Sequence, residues 1–350
     1  MQMHLTIAVF FAVTVIISFL EDYLKEIHKF VILAVYAVFM ILLATTKSVT
    51  HTADATIYEH IFYNNDELLV ELTTEPTFIY LSRIILFLGG NLMVIFFIYA
   101  LITIPAKLKA LYAMTPYIFT VLLIYIPVYF ELHDLIQIRA AAASTFILSS
   151  LIPLSNKKYW QATLLVIIAV LFHYSSVIFI PFLFIGNKQL GYKGRMMTAC
   201  LVPLCFIIYL LGKDLFSLIP SSFLGGKLDY YQKTTEKGEW AMALLYKNVY
   251  FLLKCAMLYL CLFYYDYIVK SCRMAPLLIN LFIASVLSPM LFSTIPVIAT
   301  RVSDMYGIID CIVFTFCLYL FSPRYLARIG ITAIGLYMLI YNIIASEYFT

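Results

Sequence analysis

Long apolar runs separated by short polar segments constrain this chain most. A run of about 20 apolar residues is long enough to cross a bilayer, and a run in lipid must satisfy its backbone hydrogen bonds internally, as a helix does. Hydrophobic residues make up 64% of the sequence and charged residues 12%. We therefore predict an all-α polytopic integral membrane protein that forms a single domain over residues 1–350. About twelve transmembrane helices are predicted, at 4–20, 30–45, 89–105, 112–130, 134–153, 158–172, 174–187, 196–211, 246–268, 276–295, 300–321 and 327–345.

The distribution of Lys and Arg predicts the orientation of these helices, since short cytoplasmic loops are rich in both. The short loops around 107–109, 157–158, 188–195, 270–273 and 324–328 carry these residues and fall on one side. Two long loops, 46–77 and 212–245, then lie outside the cell together with both termini. Segment 76–88 is too short to span, and we predict a re-entrant or amphipathic helix on the outer face.

Several classes of protein are excluded or disfavoured by the sequence. The first run has no basic segment before it and is predicted to be a retained span and not a cleaved signal peptide. The seven cysteines avoid the two long loops and lack metal-ligand spacing, so neither disulfides nor a metal site are expected. No P-loop, Gly-rich dinucleotide motif or Asp-x-Asp pair is present. We expect no cofactor, and the net charge of +4 is too small to indicate nucleic-acid binding.

Arg139 is the first of three cations in separate apolar stretches that the predicted topology places near one membrane face. A charge inside a span costs about 2.5–3.5 kcal/mol on the insertion scale and is by default a functional candidate. Four alanines follow Arg139 and allow another helix to approach closely. The alternative is an ion pair with Glu131 or Asp134 that only anchors the helix.

His173 is the second candidate, because it closes an apolar run and is followed by Tyr174, Ser175 and Ser176. Histidine exchanges a proton near neutral pH, so it can deprotonate a hydroxyl, or it can bind a phosphate as a cation. We favour the cationic role slightly. The alternative is a hydrogen-bonded core residue.

Arg301 and Asp304 lie three residues apart and therefore share a helix face. Asp304 could orient the guanidinium toward a phosphate, to which its fork of donors is suited, and Tyr306 could add a hydroxyl. The alternative is a pair that satisfies only itself. Several buried cations at one face predict a site for an anion, and in a membrane we expect a phosphorylated lipid carrier.

Weaker candidates are Lys254, which lies about two turns inside its predicted span, and Arg83, on the predicted outer helix. The loop 46–77 carries six acidic residues together with aromatic ones, which suits sugar recognition or catalysis by a carboxylate such as Glu75. A solvated loop explains the same charges equally well.

The order of these elements resembles that of EpsG-like and O-antigen polymerase (Wzy-type) proteins. The matching positions are Asp54, Tyr58 and Phe62, then Glu75-Pro76, Phe78 and Leu81, then Ile138-Arg139 with its alanines, Phe172 to Ser176, and Arg301 to Tyr306. The family often has an Arg-Gln pair where this chain has Arg139-Ala140. The resemblance extends from about residue 54 to residue 306.

This resemblance implies a nucleotide-independent membrane glycosyltransferase that polymerises undecaprenyl-diphosphate-linked oligosaccharide repeat units. The reaction is expected at the outer face of the bacterial cytoplasmic (inner) membrane, for O-antigen, capsule or exopolysaccharide assembly, with a chain-length regulator as a further partner. Catalytic candidates are His173, Glu75 and Arg139. Candidates for binding the diphosphate or sugar are Arg139, Arg301, Asp304, Tyr306, Lys254, Arg83, Asp54 and Tyr58.

Two other functions are compatible with the sequence. A flippase or exporter of the same lipid-linked sugar would also need buried cations, but we find no internal repeat of the kind that transporters often contain. An O-antigen ligase would use the same donor and differ in its acceptor, and a membrane acyltransferase shares much of the architecture.

Overall fold

The protein is described by a computed structural model for residues 2–46, 53–213, 245, 248–293 and 296–348. Every regular element in these residues is a helix, which confirms the predicted all-α membrane fold. The helices are α1 (Gln2–Leu20), α2 (Glu26–Thr46), α3 (Ala53–Tyr63), α4 (Leu68–Thr73), α5 (Pro76–Phe87), α6 (Leu92–Met114), α7 (Ile118–Ile124), α8 (Ile138–Ser155), α9 (Tyr159–Phe172), α10 (Ile180–Ile185), α11 (Tyr192–Leu210), α12 (Val249–Phe263), α13 (Tyr265–Ser271), α14 (Ala275–Leu291), α15 (Pro296–Gly307), α16 (Asp310–Phe314), α17 (Cys317–Leu320) and α18 (Arg324–Tyr348). A π-helix, Tyr125–Ile136, continues α7, and 3-10 helices occupy Glu21–Tyr23 and Tyr174–Phe179.

Within these residues, seven helices are long and apolar enough to cross a membrane, or nine if each of two bent pairs forms one span. The other three predicted spans correspond to shorter apolar helices, Tyr159–Phe172, Tyr174–Ile185 and Ala275–Leu291. The count of twelve therefore stays a prediction that depends on these three.

Two of the predicted spans are each divided into two helices that meet at a bend. The run 246–268 bends by 83° between α12 and α13, and the run 300–321 bends by 51° after Gly307. Apolar residues lie on both sides of each break, so hydrophobicity alone does not show the change of direction. Glycine disfavours a helix interior, which is consistent with the second break.

The predicted boundaries around 105–134 are also wrong. Helix α6 continues through Pro105 to Met114, and Lys107, which we assigned to a cytoplasmic loop, is fully buried within it. Asp134, predicted to begin the next span, lies in the π-helix that ends the previous one. Lys107 Nζ contacts both carboxylate oxygens of Asp134 at 2.9 Å, and this neutralisation allows a lysine inside the span.

Two compact units make up the chain: unit 1 is Met1–Phe184 with Phe321–Thr350, and unit 2 is Ile185–Leu320. In unit 1, α8 packs against α6 and α9, while α1 and α18 pack against α7. In unit 2, α14 packs against α11, α12 and α15.

The two ends of unit 1 in sequence are joined by buried charges. Arg328, in the first turns of α18, donates to Asp22 at 2.7 Å and is only 3% exposed, although we had placed it in a loop. Glu21 accepts hydrogen bonds from the backbone N–H groups of Phe119 and Thr120. The N-terminal hairpin is thereby tied to both α7 and α18.

The described part of the predicted loop 46–77 contains α3 and α4, and α5 follows at its end. The helix predicted at 76–88 is present as α5, with Phe78, Ile79 and Ile85 buried. It ends in a turn at Gly89, whose φ of +75° favours glycine. Almost all of the second predicted loop, 212–245, lies outside the described residues.

Candidate functional site

Glu75 is the centre of a cluster that joins three distant parts of unit 1. Its Oε2 accepts a hydrogen bond from Nη1 of Arg139, in the first turn of α8. Its Oε1 lies 2.8 Å from Nδ1 of His173, at the end of α9. One carboxylate therefore contacts both Arg139 and His173, the two main candidates that the sequence predicted in this unit.

The local sequence explains why Glu75 takes this place. A residue before proline is held in extended conformation, and Glu75 has φ −64° and ψ 139°. Pro76 then starts α5 at a position where proline is favoured. The hydroxyl of Thr77 donates to the Leu171 carbonyl at 2.9 Å, which fixes the start of α5 against the end of α9.

Arg139 lies on an aromatic support. Its guanidinium carbon is 5.3 Å from the centre of the Tyr58 ring and 5.9 Å from that of Phe78, within the range of cation–π attraction. The two rings stack on each other at 5.5 Å. The alanines at 140–143 are all buried, as the predicted close helix packing requires. The side chain as a whole keeps 19% exposure, while its Nε atom is buried.

His173 lies where α9 stops. Its backbone is extended, with φ −158° and ψ 114°, and the 3-10 helix Tyr174–Phe179 follows. This interruption confirms the predicted break between two short helices. The Tyr174 N–H also points at Glu75 Oε1, at 3.4 Å. The imidazole keeps 16% exposure while Nδ1 is engaged.

Electrostatics at the cluster keep Glu75 ionised. Burial alone would raise its pKa, but the hydrogen bond from His173 and the charge of Arg139 outweigh burial and lower the pKa to about 2. Burial raises the pKa of Tyr58 to about 12, so its hydroxyl stays neutral. A carboxylate that is always ionised can only accept, so Nδ1 of His173 donates to it.

Two buried polar atoms beside the cluster make no hydrogen bond within the described residues. They are Nε of Arg139 and Oγ of Ser176, which follows His173 by three positions. Arg139 thus has a donor beyond the one that Glu75 uses. Unmade buried hydrogen bonds cost free energy and are often explained by a missing partner such as a ligand or water.

The remaining candidates of unit 1 are Arg83 on α5 and Asp54 and Tyr58 on α3. Arg83 pairs with Glu71 at 3.1 Å and donates to the Asn65 carbonyl at 2.9 Å, so it joins α5 to the preceding segment. Asp54 lies one turn before Tyr58 on α3. The Tyr58 ring is only 3% exposed, which leaves it as the support of Arg139 and not as an open surface for sugar.

In unit 2, Lys254 belongs to an internal network. Its Nζ lies 2.9 Å from Asp310 and 2.5 Å from the Ser285 hydroxyl, and both charged side chains are almost fully buried. Tyr306 is buried and Arg301 is exposed. Arg301 and Asp304 share a helix face. Among the residues described, however, no ion pair within 4.0 Å joins these two side chains. That Arg301 shares a site with Arg139 and His173 stays a prediction.

Sequence reasoning found Glu75, Arg139 and His173 but missed how they pair. The anchoring partners proposed for Arg139 are wrong: Asp134 binds Lys107, and Glu131 contacts His4 and Asn342. Phe78 was noted only as part of a pattern. The sequence signal for this pairing is Glu75-Pro76. A proline that starts a helix restricts the backbone of the residue before it, so the backbone of Glu75 is held in place.

Comparison with known proteins identifies the family of the chain. A family model described as EpsG family matches residues 30–349, which is most of the chain. No curated protein and no solved structure matches it. The match includes both units and all three members of the Glu75 cluster. The chain therefore belongs to the EpsG family.

Proposed function

We propose that this protein is a membrane glycosyltransferase that polymerises a polysaccharide from lipid-diphosphate-linked oligosaccharides. Membership of the EpsG family and a helical membrane fold support a polysaccharide polymerase-type role. The finer proposal is that the donor and acceptor are undecaprenyl-diphosphate-linked repeat units, and that the site faces the outside of the bacterial inner membrane.

The observation that carries this proposal is the Glu75–Arg139–His173 cluster. Transfer of a glycan from a lipid diphosphate needs a cation for the leaving group and a group that takes the acceptor proton. Among the described residues, Nε of Arg139 makes no hydrogen bond, its side chain is 19% exposed, and His173 lies on the other side of the same carboxylate. Both kinds of group are therefore within one small region.

Arg139 binds the donor diphosphate in this proposal, and its fork of donors suits two phosphate oxygens. Its strength as an electrostatic catalyst comes from being held in place by Glu75 and the two rings before substrate arrives. Tyr58 contributes by supporting Arg139. Asp54 and Arg83 shape the outer loop above the cluster.

Unit 2 contributes further binding residues in this proposal. Arg301 is exposed and is the candidate for a second phosphate contact, with Asp304 and Tyr306 beside it on α15. Lys254 is already neutralised by Asp310, so its proposed contribution is to hold α12 against the broken helix. A chain-length regulator is proposed as a protein partner.

The test is polymerisation by purified protein in nanodiscs, with a chemically defined undecaprenyl-diphosphate-linked repeat unit as the only sugar substrate. We expect a ladder of products that lengthen by whole repeats without nucleotide. Arg139→Ala should abolish the ladder, and Arg273→Ala, an exposed arginine elsewhere, should not. Folded wild-type protein that makes no ladder would overturn the proposal.

The same preparation distinguishes the other functions. Transfer of glycan to lipid A core without lengthening would indicate a ligase. Movement of the lipid-linked sugar across proteoliposome membranes, with no new glycosidic bond, would indicate a flippase.

A further inference from the structure

We propose that Glu75 is a positioning residue that holds Nδ1 of His173, so that Nε2 is the base that removes the proton from the acceptor hydroxyl. This inference rests on the proposed function and assigns separate roles within its site. It also replaces the cationic, phosphate-binding role that the sequence slightly favoured for His173.

The tautomer of the imidazole follows from the contact. An ionised carboxylate only accepts hydrogen bonds, and Glu75 Oε1 lies 2.8 Å from Nδ1. A neutral His173 must therefore carry its proton on Nδ1 and its lone pair on Nε2. The ring orientation is fixed at the same time, because Glu75 is itself held by Arg139 and by the Tyr174 N–H.

Glu75 is a poor candidate for the base. Its side chain is only 5% exposed, and both of its oxygens are occupied, one by Arg139 and one by the His173 ring. Its pKa of about 2 makes it a weak acceptor of a proton near neutral pH. The imidazole is more exposed, at 16%, and has a second nitrogen.

The charges that act on His173 come from Glu75, Arg139 and His133. Glu75, before α5, stabilises the imidazolium that forms when the ring takes a proton. Arg139 of α8 opposes it, as does His133 of the π-helix to the extent that it is protonated. Of these groups, Glu75 contacts the ring directly, and Arg139 is paired with the same carboxylate.

The acceptor hydroxyl oxygen forms a bond to the anomeric carbon of the donor while its proton moves to Nε2 of His173. The bond between that carbon and the diphosphate oxygen breaks, and the lipid diphosphate leaves with the electron pair, stabilised by Arg139. The imidazolium then returns its proton to the departing diphosphate or to water.

The kinetic test compares Glu75→Gln, Glu75→Asp and His173→Ala, with Glu67→Gln as an exposed control in the same loop. His173→Ala should lower kcat by about 10²–10⁴-fold, the range for loss of a general base. Glu75→Gln should lower kcat by a larger factor than the factor by which it changes the KM for the donor. The same substitution should move the acidic limb of the pH–kcat profile to lower pH. Glu75→Asp should recover part of the activity and restore the limb.

A kinetic result of the opposite kind would overturn the inference. A His173→Ala enzyme with unchanged kcat and a raised KM for the donor would make His173 a phosphate ligand. A Glu75→Gln enzyme with the kcat and pH profile of Glu67→Gln would remove the positioning role.

A second measurement does not depend on catalysis. Nitrogen-15 NMR of the labelled histidines, with His173 assigned from the His173→Ala spectrum, should show Nδ1 protonated and Nε2 unprotonated in the neutral ring. A neutral ring protonated on Nε2 would overturn the inference. If wild-type protein made no ladder, the proposed function would fail while the spectrum would still decide the tautomer.

Discussion

Unit 1 contains two ionic clusters that differ in how completely they are enclosed. Lys107 and Asp134 are 0% and 1% exposed, and Asp134 also accepts from the hydroxyls of Thr103 and Tyr125. At the second cluster, Arg139 and His173 keep 19% and 16% exposure, and Nε of Arg139 has no hydrogen bond within the described residues.

The difference teaches how to separate a structural charge from a functional one. Both clusters place a cation in an apolar run, and the sequence alone cannot rank them. In a closed cluster the charged and polar groups pair with one another, so no hydrogen-bond donor or charge is left to bind a ligand. An open cluster keeps donors and exposure at a cost in stability, which is expected where a substrate completes the site.

The largest effect should follow from breaking the closed pair. Asp134→Asn leaves Lys107 buried without its counter-charge, which costs about 3–5 kcal/mol. We expect a large drop in the thermal midpoint, measured by size-exclusion chromatography of detergent-solubilised protein after heating.

The double variant Lys107→Met with Asp134→Leu removes both charges and should recover most of this stability. If the single variant were as stable as wild type, Lys107–Asp134 would not be the closed structural pair that we describe.

Breaking the open cluster should instead remove activity. Arg139→Ala should reduce kcat by about 10²–10³-fold, the range for loss of one electrostatic donor, while the protein stays folded. Arg139→Lys should recover only part, because it keeps the charge and loses the fork. Chain growth is measured by gel analysis of lipid-linked products, and normal chain length in Arg139→Ala would contradict the assignment.

A smaller effect is expected at the aromatic support. Tyr58→Leu removes a cation–π contact worth about 0.5–2 kcal/mol, so the KM for the donor should rise severalfold. Tyr58→Phe keeps the ring and should stay near wild type. Equal KM values for Tyr58→Leu and Tyr58→Phe would show that the ring does not hold Arg139.

The last prediction concerns how the stabilising contribution of the Glu75 charge changes with pH. Because folding lowers the pKa of this residue from its usual 4.5 to about 2, its stabilising contribution is complete above pH 4.5. That contribution is lost as pH falls toward 2. The difference in thermal midpoint between wild type and Glu75→Gln should therefore shrink between pH 4.5 and pH 3. A difference that grew with acid would contradict the direction of the shift.

The sequence predicted the helical membrane fold and the break at His173, because each of these depends on local pattern. It misplaced Lys107, since a lysine in an apolar chain usually indicates a loop and its partner lies 27 residues away. The pairing of Glu75 with Arg139 and His173 spans 64 and 98 residues, and no periodicity links such distant positions.

The contact between Asp22 and Arg328, which ties the N-terminal hairpin to α18, has a consequence for how the protein is made. These residues are 306 positions apart. At a synthesis rate of roughly 5–20 residues per second, the arginine emerges about 15–60 s after its partner. During that interval the first hairpin lacks the arginine that pairs with its acidic turn. Unit 1 thus gains this contact only late in synthesis, and a ribosome that stops before Arg328 leaves the hairpin without its tie to α18.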